Sequence, residues 1–180
     1  MYQKKGCGIL LNIGDNVLCS GRGVCTVTDK ILIDNNEYYA LSSVYGKDMT
    51  LYVPVKDAGN RIKRLLSKDD IDEIISEISV ENMQWIEDDK ERQSAFKEIL
   101  VSGDRKKLML LIKVLFLHQQ ELKKQNKKLH ISDEKAFKDA QGLLHDEIAY
   151  ALNIDRNNVV EYIAKKNKLR RCQKHRLFVF

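Results

Sequence analysis

The chain is poor in residues that break regular structure, with one proline, Pro54, and nine glycines among 180 residues. That scarcity argues against a loop-rich or disordered chain. Long apolar runs are missing too. The longest, Met109 to Leu117, is interrupted by Lys113 and is far too short to cross a bilayer. Lys4 and Lys5 stand near the start, but Gly8, Asn12 and Asp15 follow them, so the apolar region of a signal peptide is lacking. These absences predict a cytoplasmic protein without a membrane partner.

Metal-binding and catalytic patterns are also absent. The four cysteines, Cys7, Cys19, Cys25 and Cys172, form no C-x-x-C pair, and no histidine is placed to complete a zinc site with them. Cys19 and Cys25 fall in strand-like sequence, where a free thiol packs as a small hydrophobe. His118, His130, His145 and His175 have no Ser or Cys nearby in a recognisable nucleophile setting. Gly21-Arg22-Gly23 lacks the Lys-Ser/Thr and following helix of a phosphate loop. The acids between 69 and 91 are too numerous to single out a catalytic pair. The expectation is a protein with no enzyme activity, no cofactor and no metal.

What the chain does have is charge in alternating blocks. Residues 1–66 carry nine Lys/Arg against six Asp/Glu, and residues 67–101 carry four against eleven. Residues 102–130 then carry eight against two, 131–166 five against seven, and the segment from Asn167 five against none. Blocks of this kind predict separate faces for separate partners.

The hydrophobic period divides the chain in two. Between Ile13 and Val55 short β-branched stretches alternate with turn signals. Asn16–Cys19, Val24–Thr28, Ile31–Ile33, Glu37–Leu41 and Met49–Val53 are separated by Ser20-Gly21-Arg22-Gly23, Asp34-Asn35-Asn36 and Gly46-Lys47-Asp48. Strands this short suit a small, strongly bent SH3/Tudor-like β-barrel. After Arg64 the period becomes 3.6. Ser67 and Asp70 make a capping box before Ile71, Ile74, Ile75 and Ile78. Asp88 and Asp89 precede a helix with Arg92, Ala95, Phe96, Ile99 and Leu100 on its buried stripe. Ser102-Gly103-Asp104 ends it and caps a helix over 105–125 that is apolar nearly all round, as at the centre of a bundle. Ser132 caps a further helix, and Asp155 opens a last short one. The expected fold is therefore α+β in two modules, a barrel over 1–66 and an all-α bundle over 67–166, followed by a basic tail over 167–180.

Four segments in order carry a resemblance: Ile13-Gly14-Asp15-Asn16-Val17, Gly21-Arg22-Gly23-Val24, Tyr38-Tyr39-Ala40-Leu41 and Asp48-Met49-Thr50-Leu51-Tyr52-Val53-Pro54-Val55. Together they resemble the CarD/CdnL family of bacterial transcription regulators, and the RNA-polymerase-interacting domain of transcription-repair coupling factors. Trp85, Arg92, Leu100, Ser102-Gly103-Asp104 and Ser132-Asp133-Glu134-Lys135 extend the likeness into the helical half. The resemblance implies that the barrel binds the β-subunit lobe of RNA polymerase, partly by adding a strand to its sheet. It also implies that the helical module meets promoter DNA, where a tryptophan wedges into the minor groove and stabilises the open complex.

On that reading Met49, Thr50, Leu51, Tyr52, Val53 and Pro54 form the polymerase contact. Alternation sends Met49, Leu51 and Val53 to the core and Thr50 and Tyr52 to the other face. At the Tyr52 position, family members can carry an arginine. Trp85 and Arg92 become the DNA-facing pair. Trp85 departs from the family by about one helical turn and lies among the acids Glu81, Glu87, Asp88 and Asp89. A staple role at the start of its helix is the alternative, and Arg92 could instead pair with those acids. Arg105, Lys106, Lys107, Lys123, Lys124, Lys127 and Lys128 are the phosphate-binding candidates by charge. The chain is thus expected to act as a monomer on polymerase and promoter DNA. A protein-only adaptor on polymerase and a general nucleic-acid-binding protein are the rival expectations.

Overall fold

The computed structural model describes residues 4, 5, 8–46, 50–78, 81 and 83–166. The chain divides into two compact units, Met1–Leu65 and Leu66–Phe180.

The first unit holds a two-stranded ribbon, β1 (Lys4–Lys5) with β2 (Gly8–Ile9), and an antiparallel sheet of five strands. The strands are β3 (Asn16–Cys19), β4 (Gly23–Ile33), β5 (Asn36–Ser43), β6 (Thr50–Pro54) and β7 (Ile62–Lys63), in the order β6-β5-β4-β3-β7. Turn chemistry explains the hairpins. Gly21 and Gly23, at φ of 70° and 88°, turn β3 into β4. Asp34 and Asn35, at 46° and 59°, form the two-residue turn into β5, with Ile33 facing Asn36. The two stretches expected as Val24–Thr28 and Ile31–Ile33 are one continuous strand. Its register shifts between Val27 and Asp29, leaving Thr28 as an extra residue whose Oγ1 donates to the Ala40 carbonyl at 3.1 Å. Such a bulge bends the strand and increases its twist.

All five strands and both loops around them feed one core: Leu11, Val17, Cys19, Cys25, Val27, Tyr39, Leu41, Val53, Ala58 and Ile62. The barrel expected from the sequence is nevertheless an open sheet. β6 and β7 do not pair; a 3-10 turn (Val55–Asp57) and α1 (Ala58–Arg61) carry the chain between them, and fully buried Ala58 fills the gap. β7 has only two residues, too little backbone to close the seam, and as the helical connection lies within the core region no further strand is needed there. Cys19 and Cys25 are free and buried, as expected of packing thiols. Burial, reinforced by neighbouring Cys19, pushes the Cys25 thiol up to about 11.

The second unit is helical. It contains α2 (Lys68–Ile78), α3 (Asp89–Ser102), α4 (Arg105–Lys124), α5 (Ile131–Leu152), a 3-10 turn (Arg156–Asn158) and a last helix, α6, over 159–166. The caps follow local chemistry. The Ser67 N–H donates to Asp70 Oδ2 at 2.7 Å while the Asp70 N–H donates to Ser67 Oγ at 3.1 Å, a reciprocal box. Asp88 accepts from the Glu91 N–H and Asp104 from the Lys107 N–H. Gly103 and Asn153, both left-handed, end α3 and α5. One cap differs from expectation. α5 starts at Ile131, and extended His130 is its N-cap, because the imidazole Nδ1 accepts from the Ser132 N–H.

α4 is apolar on most sides because it faces two cores. Leu108, Leu111 and Leu115 join Phe96, Leu129, Phe137 and Ala140, while Met109 joins Ile71, Ile75, Leu144, Ile148 and Val159. Buried charge ties the bundle together. Glu147, 1% exposed, accepts from Arg105 at 2.8 Å and from the Leu66 N–H at 3.1 Å. Lys113, the charge inside the apolar run, donates to the carbonyls of Ile78 and Glu81 and so satisfies the end of α2.

Candidate polymerase-binding edge and nucleic-acid interface

β6 occupies the edge of the sheet. Its inner side pairs with β5, Ser42 against Thr50 through Tyr38 against Pro54, and among the described residues nothing pairs with its outer side. Thr50 and Tyr52 are exposed, Leu51 is half-buried against the core, and Val53 is fully buried. One face of the β4-β5-β6 surface therefore presents Ile31, Tyr38, Tyr52 and Pro54, while Tyr39, Leu41 and Val53 point into the core. An edge of this kind offers unpaired backbone groups for strand addition, with alternate side chains for recognition. Pro54 ends it by removing a donor. Met49 lies outside the described residues. Val44 and Tyr45, exposed just after β5, were not singled out by the sequence pattern, although an apolar pair beside a Gly turn was a usable signal.

Trp85 sits in the segment between α2 and α3 and packs on the core of the bundle. Its ring stacks on His118 of α4 with centroids 3.6 Å apart, and meets Phe96 edge-on at 6.4 Å. The Arg92 guanidinium carbon lies 4.7 Å from the Trp85 ring centroid. Arg92 itself is 4% exposed. It donates to Asp133 through Nε and Nη2, to the Ile86 and Glu87 carbonyls through Nη1, and to Asp89 through Nη2. A guanidinium has five N–H donors, and these five bonds engage them all. The expectation that Arg92 contacts DNA is therefore corrected. The residue organises the start of α3 from inside, and the acids near it are engaged too, Asp88 as the cap and Asp89 as an ion-pair partner.

The N-terminal unit also matches a known family over residues 11–66, from buried Leu11 through all five strands of the sheet. Over those residues it matches the CarD-like/TRCF RID domain, called the RID domain below. A search of curated proteins finds no match to the chain. The match supports a transcription-related function that involves interaction with RNA polymerase. The match ends where the helical unit begins, so it covers β6 but not Trp85 or the basic residues of α4. Among the described residues, no helix is long and apolar enough to cross a membrane.

The basic candidates separate into two groups outside the RID domain. Arg105 is held by Glu147 inside the bundle, and Lys106 by Glu77 and Glu81 at 3.3 and 2.9 Å. Hydrogen bonds to Glu81 and Glu77 raise the Lys106 pKa. These two residues are structural cations, which the charge run could not reveal because their partners stand far away in sequence. Lys107, Lys123, Lys127 and Lys128 are exposed, and Lys124 carries only a surface pair with Glu121. The end of α4 and the turn after it thus gather four exposed lysines. The basic tail over 167–180 lies outside the described residues.

Proposed function

We propose that this protein is a bacterial transcription regulator that binds the β subunit of RNA polymerase through β6 of its RID domain and promoter DNA through its helical unit. The observation that carries the reading is that, among the described residues, nothing pairs with the outer side of β6, which lies within the segment matching the RID domain. Thr50, Tyr52 and Pro54 supply the exposed side chains of that strand, Leu51 and Val53 hold it to the core, and Met49 precedes it. Strand addition would position the helical unit on the polymerase at the promoter.

On this reading Lys123, Lys124, Lys127 and Lys128, with Lys107, hold phosphates, and the contact stabilises the open complex. Trp85 serves the interface as a fixed platform set by His118 and Arg92. A wedge into the minor groove would require it to leave that stack. The protein works as a monomer in the cytoplasm, at the nucleoid, and carries no catalysis.

The second reading is a protein-only adaptor on polymerase. It is favoured by the packing of Trp85 and by the acids Glu81, Glu87 and Asp88 around it, which repel phosphates. Open-complex lifetime at a defined promoter, with and without the protein, separates the two. A longer lifetime is expected. An unchanged lifetime with polymerase binding retained would eliminate the DNA arm and leave the adaptor.

A further inference from the structure

The helical unit contains a groove that neither polymerase nor DNA binding uses. Its walls are Ile75 and Ile78 of α2, Met109 and Phe116 of α4, Phe137 of α5 and Ile163 of α6, around a cavity volume of about 430 Å³. That volume falls within the range of about 300–1,000 Å³ typical of small-molecule sites. At Gln141, His145 and Val160 the groove adjoins a second, polar cavity of about 390 Å³, lined also by Lys138, Arg156 and Asn157. An apolar groove thus borders a polar space lined by two cations and two amides.

His145 stands at the junction and lines both cavities. It is 9% exposed, and its ring borders both spaces. Burial, with nearby Arg156, lowers its pKa, so the ring is neutral and keeps one N–H to donate. Arg156 reaches the same place from the other side. Its Nε holds Asp146 at 2.9 Å, and its Nη2 lies so close to Gly142 that a Cβ there would stand 3.4 Å away. The glycine leaves room for the guanidinium against α5, beside Gln141 and His145. Lys138 at the rim is paired with Glu134 and remains mostly exposed.

We infer that this groove binds a hydrophobic carboxylate, with its apolar body among Ile75, Phe116, Phe137 and Ile163 and its anionic head between Arg156 and His145. The carboxylate supplies His145 with an acceptor and takes the Arg156 donors that Asp146 leaves unused. The apolar body covers side chains that are otherwise exposed to water along α4 and α6. Occupancy would add contacts between α2 and α6, which both line the groove. The protein would then be a regulator that responds to a small amphiphile.

The test uses the full chain alone, so its outcome does not depend on polymerase or promoter. Laurate, below its micelle concentration, is titrated and followed by calorimetry and by amide chemical shifts. Saturable one-to-one binding is expected, with shifts at Gln141, His145 and Val160. Dodecanol should bind at least tenfold more weakly and acetate not measurably. Arg156→Gln should weaken laurate about tenfold and Ile163→Asp abolish binding, with thermal unfolding checking that each variant folds and Arg156→Lys restoring most of the affinity. Equal affinity for laurate and dodecanol, or no effect of Arg156→Gln, would overturn the carboxylate assignment. Self-association that Ile163→Asp removes, without laurate uptake, would give the groove to a second copy of the chain and overturn it as well.

Discussion

Trp85 lies flat on His118, with ring centroids 3.6 Å apart and planes 16° from parallel. The pair joins the α2–α3 segment to the middle of α4, and it makes the single tryptophan a reporter of the helical unit. His118→Ala should lower the stability of that unit by about 1 kcal/mol, the ordinary worth of an aromatic contact. Trp85→Ala should cost more, about 2–3 kcal/mol, because it also empties space against Phe96. Urea unfolding followed by circular dichroism checks both. A Trp85→Ala variant as stable as the wild type would show that the ring is not packed as described, and would revive the wedge.

Arg92 makes a stronger prediction. Asp133 beneath it is 2% exposed, so removing the guanidinium leaves a buried carboxylate without its partner. Arg92→Met should destabilise the helical unit by about 3–5 kcal/mol. Arg92→Lys should recover little, since one ammonium cannot reach Asp133, Asp89 and two carbonyls at once. Denaturant midpoints of the two variants decide it, and near-equal stability of Arg92→Lys and wild type would refute the interior role.

Salt dependence distinguishes the two groups of cations. Replacing Lys123, Lys124, Lys127 and Lys128 by Gln should reduce the slope of log affinity against log salt for promoter DNA by about 3–4 units. Lys106→Gln should leave that slope unchanged, because Glu77 and Glu81 already neutralise the ammonium. Titrations between 50 and 200 mM salt, the range over which about six to ten phosphate contacts change affinity most visibly, supply the readout.

The polymerase edge is tested by Tyr52→Glu. Tyr52 is half-exposed and outside the core, so stability should change by less than about 0.5 kcal/mol. Binding to polymerase should fall at least tenfold in a pull-down or titration. A Tyr52→Glu variant that binds as the wild type does would remove β6 as the interface.

The buried thiols give a pH dependence. Cys25 is raised by burial from its ordinary 9.0 to about 11, and Cys19 is raised for the same reason. In the unfolded chain these thiols lose their protons near 9, while in the folded chain they keep them. The unfolded state therefore binds fewer protons above that pH, and the stability of the RID domain should decline between about pH 9 and 11. At pH 8 neither thiol should react with iodoacetamide until the sheet unfolds, as read by mass spectrometry.

Much of this protein was legible locally. The change of hydrophobic period after Arg64, the turn residues Gly21, Gly23, Asp34 and Asn35, and the caps Ser67, Asp88 and Asp104 all act within four residues of themselves. Alternation along Thr50–Val53 placed Tyr52 outside and Val53 inside, because a strand allows no other arrangement once one face is buried. What sequence could not decide was which of two equivalent charges meets a partner brought from far away. Arg92 and Arg105 read as DNA-facing cations beside their neighbours. Arg92 is buried and Arg105 partly buried because α5 brings Asp133 and Glu147 to them from about 40 residues further on. Similar separations along the chain hide the stack of Trp85 on His118 and the junction of an apolar groove with His145. Local chemistry sets each element and its exposed face. Packing alone decides which polar groups lose their water, and so which remain available to a partner.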